Sequence, residues 1–83
     1  MNKILYFTAE WCGPCKMMAP TITEAMGGGL PIEKIDVDAN QERSIQYNVR
    51  SVPTMVLVDG SGAEVKRVMG LQTLTALKDF YNG

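Results

Sequence analysis

Apolar residues recur along the chain with two different periods, and these periods predict an alternation of strands and helices. Residues 3–9 and 54–58 each contain an uninterrupted apolar run. Because such runs are apolar on both faces, they predict central strands that are covered on both sides. Apolar and polar residues alternate in residues 32–37 and 63–69, which predicts two further strands.

A helical period follows the first predicted strand. Pro14 suits the first turn of a helix, and the glycines at 27–29 suit its end. Pro20 lies inside the segment and is expected to kink the helix. The buried stripe of this helix is predicted to contain Met18, Ile22, Ala25 and Met26.

A short helix is predicted between the second and third strands. Asp38 is expected to cap it, with Gln41 three residues later as the partner in a capping box. Ile45 is expected to pack this helix onto the sheet, and Asn48 is expected to end it.

The last part of the chain predicts a hairpin and a helix. Residues 59–62, Asp-Gly-Ser-Gly, have the composition of a hairpin turn. In the fourth strand, alternation places Ala63, Val65 and Met69 on one side and Glu64 and Lys66 on the other. The apolar stripe of the final helix is predicted to contain Leu74, Leu77, Phe80 and Tyr81.

The predicted element order is βαβαββα, which indicates an α/β protein. The first βαβ unit requires parallel strands and a right-handed crossover, whereas the later hairpin adds antiparallel strands. We therefore predict a mixed four-stranded sheet with strand order 2-1-3-4 and three helices on its two faces. Residues 1–83 are expected to form a single domain.

Composition and charge exclude several classes of function. The chain has 83 residues, of which 46% are hydrophobic and 20% charged, with eight basic and nine acidic side chains. This balance argues against nucleic acid as a partner, because phosphate binding requires a basic face. No apolar run approaches the roughly 20 residues of a membrane span, and no signal peptide is recognisable. We expect a cytoplasmic monomer.

The only two cysteines, Cys12 and Cys15, lie three positions apart, where the first strand gives way to the first helix. Unpaired N–H groups and the helix dipole at this point favour a thiolate. Cys12 is therefore the expected nucleophile. Cys15 is one turn further on, is expected to be more buried, and would resolve the intermediate. Gly13 would let a substrate backbone come close, and Pro14 would stiffen the turn.

Other uses of the cysteines remain open at this point. A zinc or iron–sulfur site usually needs four Cys or His ligands, so two cysteines and no histidine would require two chains. Two inert buried cysteines are a further alternative. A cysteine hydrolase would lack its usual histidine base. A C-x-x-C sequence beside a βαβ unit indicates a redox pair, and no metal is expected.

The sequence Ala-Glu-Trp-Cys-Gly-Pro-Cys-Lys at 9–16, followed by Met17 and by Ala-Pro at 19–20, resembles the thioredoxin family, as does Val-Pro-Thr at 52–54. The resemblance implies a thioredoxin-like fold in which Pro53 is cis and faces the cysteines. Gly70 corresponds to the glycine that flanks the substrate groove, and Lys34 to a buried lysine near Cys15.

The resemblance also implies an activity. The chain would reduce disulfides in partner proteins through Cys12 and Cys15, and a flavoprotein thioredoxin reductase would restore the dithiol. No organic cofactor is expected. Ribonucleotide reductase is a familiar client of the family, although no residue here selects it. The expected substrate-binding collar consists of Trp11, Pro14, Val52, Pro53, Gly70 and Leu71.

The sequence departs from the family pattern at three points. Typical thioredoxins have an extra strand and helix before the cysteine strand, whereas here that strand starts at Lys3. Tyr6 replaces a buried aspartate, and a phenol is a poor base near neutrality. Thr8 replaces a second tryptophan. The trimmed form leaves a glutaredoxin-like protein reduced by glutathione as one alternative, and a redox-independent accessory subunit as another.

Overall fold

The computed structural model describes all 83 residues and contains four strands and three helices in the predicted order. The elements are β1 Lys3–Thr8, α1 Gly13–Gly27, β2 Ile32–Asp36, α2 Gln41–Gln46, β3 Thr54–Val58, β4 Glu64–Met69 and α3 Leu74–Asn82. Strand β1 pairs in parallel with β2 and antiparallel with β3, and β3 pairs antiparallel with β4. The sheet order β2-β1-β3-β4 confirms the predicted α/β architecture.

One face of the sheet, called here the helical face, is covered by α1 and α3. Its buried residues are Ile4, Tyr6, Met55 and Leu57 from the sheet, Met18, Ile22 and Ala25 from α1, and Leu77 from α3. The predicted stripe of α1 is right except at Met26, which is 47% exposed because Ala25 occupies the buried position in that turn. Helix α1 ends at Gly27 with Gly28 as its C-cap, and Gly29 follows with a φ of 96°.

The opposite face, called the loop face, is covered mainly by irregular chain. Its buried residues are Leu5, Phe7, Ile35, Val56 and Val58, against which Val37, Tyr47, Val49 and Val52 pack. Helix α2 has no buried residue. The prediction that Ile45 packs this helix is therefore wrong: Ile45 is 77% exposed. The chain that leaves α2 fills the space instead, because the helix has fewer than two turns.

Polar contacts tie this covering segment to the sheet. The Tyr47 hydroxyl donates to the carbonyl of Gly62 at 2.6 Å, and the Arg67 guanidinium donates to the carbonyl of Tyr47 at 2.5 Å. On β2, Glu33 forms ion pairs with Arg43 of α2 and with Lys3 of β1. Hydrogen bonds from Arg43 and then Lys3 lower the pKa of Glu33 from 4.5 to about 2.

The start of α2 differs from the predicted capping box. The helix begins at Gln41, and its N-cap Asn40 makes no side-chain cap bond. Asp38 lies in the preceding turn, where the carboxylate of Asp36 accepts the N–H of Asp38 at 2.8 Å. The predicted end at Asn48 is one residue late, since Tyr47 is the C-cap and Asn48 follows with a φ of 53°.

Strand β4 contains a bulge that the alternation pattern could not reveal. Leu57 pairs with Lys66, whereas the following residue, Val58, pairs with Glu64. Val65 of β4 is therefore left without a partner residue on β3. Val65 and Met69, predicted to share one side with Ala63, are 53% and 60% exposed. Beyond the bulge Val68 packs against the helical face. None of the helices is long and apolar enough to cross a membrane.

Candidate active site

Cys12 and Cys15 are joined by a disulfide at the start of α1, with their Cα atoms 5.2 Å apart. Cys12 is the N-cap residue, and its sulfur accepts the N–H of Cys15 at 3.2 Å. Pro14 occupies the first turn, where its missing N–H breaks no helical hydrogen bond. The helix N-terminus therefore points its unpaired N–H groups and the positive end of its dipole at the Cys12 sulfur.

Burial alone does not distinguish the two sulfur atoms. Cys12 is 4% exposed and Cys15 is 3% exposed, so the predicted difference in burial is almost absent in the disulfide form. Their surroundings differ more clearly. Cys12 lies beside the Val52–Pro53 loop, whereas Cys15 lies one turn into α1 above the central strand.

The loop before β3 lies beside Cys12. The Val52–Pro53 peptide bond is cis, and the Val52 carbonyl oxygen is 3.6 Å from the Cys12 sulfur. The Gly70 N–H donates to the Pro53 carbonyl at 2.9 Å, which links this loop to the chain after β4. Gly70 has a φ of 86°, a conformation that favours glycine. Val52, Pro53 and Gly70 are thus held together next to Cys12.

Two large apolar side chains stand exposed around this opening. Trp11 is 69% exposed, and Leu71 is 52% exposed. The indole N–H of Trp11 donates to the Asp38 carboxylate at 2.8 Å. Sequence reasoning assigned Asp38 to a helix cap and so missed this contact. The mouth of the site therefore combines exposed apolar surface with a tryptophan fixed by one hydrogen bond.

A cleft of about 290 Å³, called here the rear cleft, opens on the other side of Cys15, between α1 and the edge strand β2. Tyr6 lines it and is 1% exposed, and its hydroxyl donates to the Cys15 carbonyl at 3.4 Å. Lys34 also lines the cleft, but its side chain is exposed, not buried as expected. The reason is that β2 is an edge strand, so α1 covers the central position of Tyr6 and leaves Lys34 at the rim.

The strand register accounts for the charges of the rear cleft. Tyr6 of β1 pairs with Lys34 of β2, and Thr8 pairs with Asp36. Lys34 and Asp36 therefore lie on the helical face of the sheet, which α1 covers. Glu10 and Lys16 add two further charged side chains to the lining. Sequence analysis missed Asp36 here, although its position two residues after Lys34 places both on one face of a strand.

The chemistry available at this site is that of a dithiol and its disulfide. No group of three or more His, Cys, Asp or Glu side chains is arranged to hold a metal ion. One sulfur lies at a helix N-terminus with a second sulfur bonded to it, and an apolar mouth opens beside the first sulfur. This arrangement suits exchange with a disulfide in another polypeptide.

Comparison with known proteins gives one consistent result. Residues 2–82 match the family model for thioredoxin. Thioredoxin from Bacillus subtilis is 48% identical over 80 residues, which cover 92% of this chain and 75% of that protein. A bifunctional thioredoxin reductase/thioredoxin from Mycobacterium leprae is 45% identical over 74 residues, covering 86% of this chain and 16% of that protein. The solved structure of a mutant thioredoxin from Halobacterium salinarum superposes with a TM-score of 0.84 at 42% identity, covering 98% of this chain and 72% of that one.

Proposed function

The chain belongs to the thioredoxin family, and from that premise we propose that it reduces disulfide bonds in partner proteins and is itself reduced by a thioredoxin reductase. Thioredoxins are thiol–disulfide oxidoreductases, and the redox-active cysteine pair of that activity is present here. The observation that supports the proposal best is the disulfide at the N-terminus of α1 with the Val52 carbonyl beside the Cys12 sulfur.

The reaction uses the two sulfurs in sequence. The Cys12 thiolate attacks one sulfur of the partner's disulfide, and the partner's other sulfur leaves as a thiolate. A mixed disulfide now joins Cys12 to the partner. Cys15 then attacks the Cys12 sulfur, so that the Cys12–Cys15 bond forms and the second partner sulfur leaves. Two electrons pass to the partner, which takes up two protons.

The partner chain would bind at the mouth of the site. We propose that its backbone pairs with Val52 as an added strand, because the loop beside Cys12 presents backbone groups next to the reacting sulfur. Trp11, Pro14, Gly70 and Leu71 would form an apolar collar around this segment. A Cβ on Gly13 would meet no atom within 4 Å, so that side of the disulfide is open to an approaching chain.

A thioredoxin reductase is the proposed source of electrons. The support is the Mycobacterium leprae relative, whose name joins both activities in one protein. Residues 1–83 would act as one domain in this exchange. Glutathione is the alternative reductant, and a comparison of the two reductants on the same disulfide form separates a thioredoxin-type from a glutaredoxin-type role.

The test of the proposal compares single cysteine variants in the reduction of insulin disulfides. Cys12→Ser removes the attacking sulfur, so we expect turnover to fall at least a thousandfold. Cys15→Ser keeps the first attack but not the second, so a mixed disulfide with insulin should accumulate and be visible by mass spectrometry. If both variants leave the biological activity of the protein intact, redox chemistry is not its purpose, and the redox-independent binding subunit is the better description.

The direction of electron flow is measured separately. We expect the disulfide to equilibrate with dithiothreitol buffers as a two-electron couple between about −210 and −270 mV, the reducing end of the range for such proteins. A value above about −160 mV would make the protein an oxidant and contradict the reductase role.

A further inference from the structure

The second step of the exchange requires Cys15 to lose its proton at a buried position. Only a thiolate attacks a disulfide, and Cys15 is 3% exposed. In the mixed disulfide, the partner chain occupies the mouth beside Cys12. Solvent then approaches Cys15 through the rear cleft, whose volume of about 290 Å³ has room for several water molecules.

Tyr6 is one of the residues that line the rear cleft. Tyr6 lies on the central strand β1 directly under α1, and its hydroxyl is already engaged as the donor to the Cys15 carbonyl. This bond connects Tyr6 to the first turn of α1. Because the hydroxyl acts as a donor there, we do not assign it as the acceptor of the Cys15 proton. The charged residues that line the cleft are therefore the candidates to accept the Cys15 proton.

Charged side chains from three parts of the chain line the rear cleft together with Cys15. They are Glu10 in the connection after β1, Lys16 on α1, and Lys34 and Asp36 on β2; Tyr6 on β1 is the one further titratable neighbour. Of the two carboxylates, Glu10 is exposed, whereas Asp36 is half-buried. Asp36 is thus the carboxylate that the fold holds against the cleft.

Asp36 is also the better fixed of the two. One of its carboxylate oxygens accepts the N–H groups of Asp38 at 2.8 Å and Ala39 at 3.3 Å. These bonds orient the side chain, and its other oxygen accepts no hydrogen bond from the protein. Lys34, two residues away on the same face, adds a positive charge that favours a thiolate as it forms.

We propose that Asp36, acting through water in the rear cleft, accepts the proton that the Cys15 thiol releases when it resolves the mixed disulfide. The proton passes from the Cys15 sulfur to the Asp36 carboxylate, and the Cys15–Cys12 bond forms as the bond from Cys12 to the partner sulfur breaks. The departing thiolate takes a proton from solvent, and Asp36 returns its own to solvent. This inference rests on the proposed function.

Stopped-flow reaction of the reduced protein with 5,5′-dithiobis(2-nitrobenzoate) tests the proposal, because each sulfur releases one coloured thiolate. The first release depends on reagent concentration and reports Cys12, and the second is independent of it and reports Cys15. In Asp36→Asn, which keeps an oxygen for the turn, we expect an unchanged first phase and a second phase about tenfold slower at neutral pH. The loss is below the 10²–10⁴-fold typical of a general base because water itself reaches the cleft.

Five comparisons separate proton transfer from a structural effect. Formate added to Asp36→Asn should restore the second phase in proportion to its concentration, and Asp36→Glu should retain most of the rate. Asp79→Asn, which removes the same charge on α3, and Glu10→Gln should leave both phases within twofold. Ala19→Leu, which adds volume to the lining of the rear cleft, should slow the second phase without changing Asp36.

The outcomes distinguish this inference from the proposed function. A second phase within twofold of the unsubstituted protein in Asp36→Asn would overturn the inference, whereas a normal first phase would leave the proposed function standing. Slowing by Glu10→Gln in place of Asp36→Asn would overturn the assignment to Asp36. Absence of both phases in the unsubstituted protein would overturn the proposed function itself.

Discussion

The two faces of the sheet are covered in different ways, yet each contributes half of the active site. On the helical face, apolar side chains of α1 and α3 pack directly on the sheet, and α1 brings both cysteines. On the loop face, mostly irregular chain lies on a smaller apolar cluster and is tied down by polar contacts. That chain ends at Val52 and Pro53, the half of the site at which we propose that a partner binds.

The comparison shows that the two halves depend on different forces. The cysteine half depends on buried apolar volume, which responds to side-chain truncation and little to pH or salt. The half formed by the Val52–Pro53 loop depends partly on ion pairs and hydrogen bonds near the surface, which respond to pH and salt. Substitutions matched between the two faces separate these contributions.

The largest expected difference is between the two flanking helices. Leu77 of α3 is 0% exposed, whereas Ile45 of α2 is 77% exposed. Leu77→Ala should lower the free energy of unfolding by about 2–5 kcal/mol, because it leaves a cavity in the helical face. Ile45→Ala should change it by less than about 0.5 kcal/mol. Urea unfolding measures both, and equal losses would mean that α2 packs on the sheet after all.

A smaller effect on stability is expected from removing one hydrogen bond that holds the loop face. Tyr47→Phe keeps the ring that packs 6.1 Å from Phe7, centroid to centroid, but loses the bond to the Gly62 carbonyl. We expect the free energy of unfolding to fall by about 1 kcal/mol. Tyr81→Phe is the matched control, since it removes a longer hydroxyl bond, 3.2 Å, to the carbonyl of Asn2 near the chain terminus. If Tyr81→Phe lowered the free energy of unfolding more than Tyr47→Phe does, the hydrogen bond from Tyr47 would not be important for holding the loop face.

The contrast between the faces also explains which features the sequence predicts. Sheet order, strand positions and the cysteine helix follow from short-range periods and from the βαβ rule, and the structure confirms them. The short-range periods need no knowledge of distant packing. The residues at the mouth are distant in sequence, and only the resemblance to the thioredoxin family places Val52, Pro53 and Gly70 beside Cys12.

Apart from the ends of α2, the main failures depend on long-range contacts. Ile45 has the composition of a packed helix residue, but the chain after α2 takes its place on the sheet. Val65 follows the alternation pattern until the bulge opposite Leu57 and Val58 shifts the register. The rear cleft needs the pairing of β1 with β2, which brings Asp36 beside the strand that carries Tyr6. None of these contacts has a local sequence pattern.

The smallest expected effect concerns Glu33, whose ion pairs join α2 and β1 to the edge strand of the loop face. Arg43 and Lys3 lower its pKa from 4.5 to about 2 in the folded protein. A carboxylate with a lowered folded-state pKa stabilises the fold above the unfolded value and loses that contribution as the pH falls. Here the contribution should be complete above about pH 5 and should disappear between about pH 4.5 and pH 2.

Because the Glu33 side chain is 38% exposed, solvent screens its ion pairs, and we expect Glu33→Gln to cost no more than about 1 kcal/mol at pH 7. The cost should shrink toward zero at pH 2 and in 0.5 M salt, since neither condition leaves an effective ion pair. Glu42→Gln on α2, where Glu42 forms no ion pair, is the matched control. If Glu33→Gln costs as much at pH 2 as at pH 7, the side chain stabilises the fold by packing and not by charge. The loop face would then be held in the same way as the helical face, and the distinction between them would apply only to Tyr47 and Arg67.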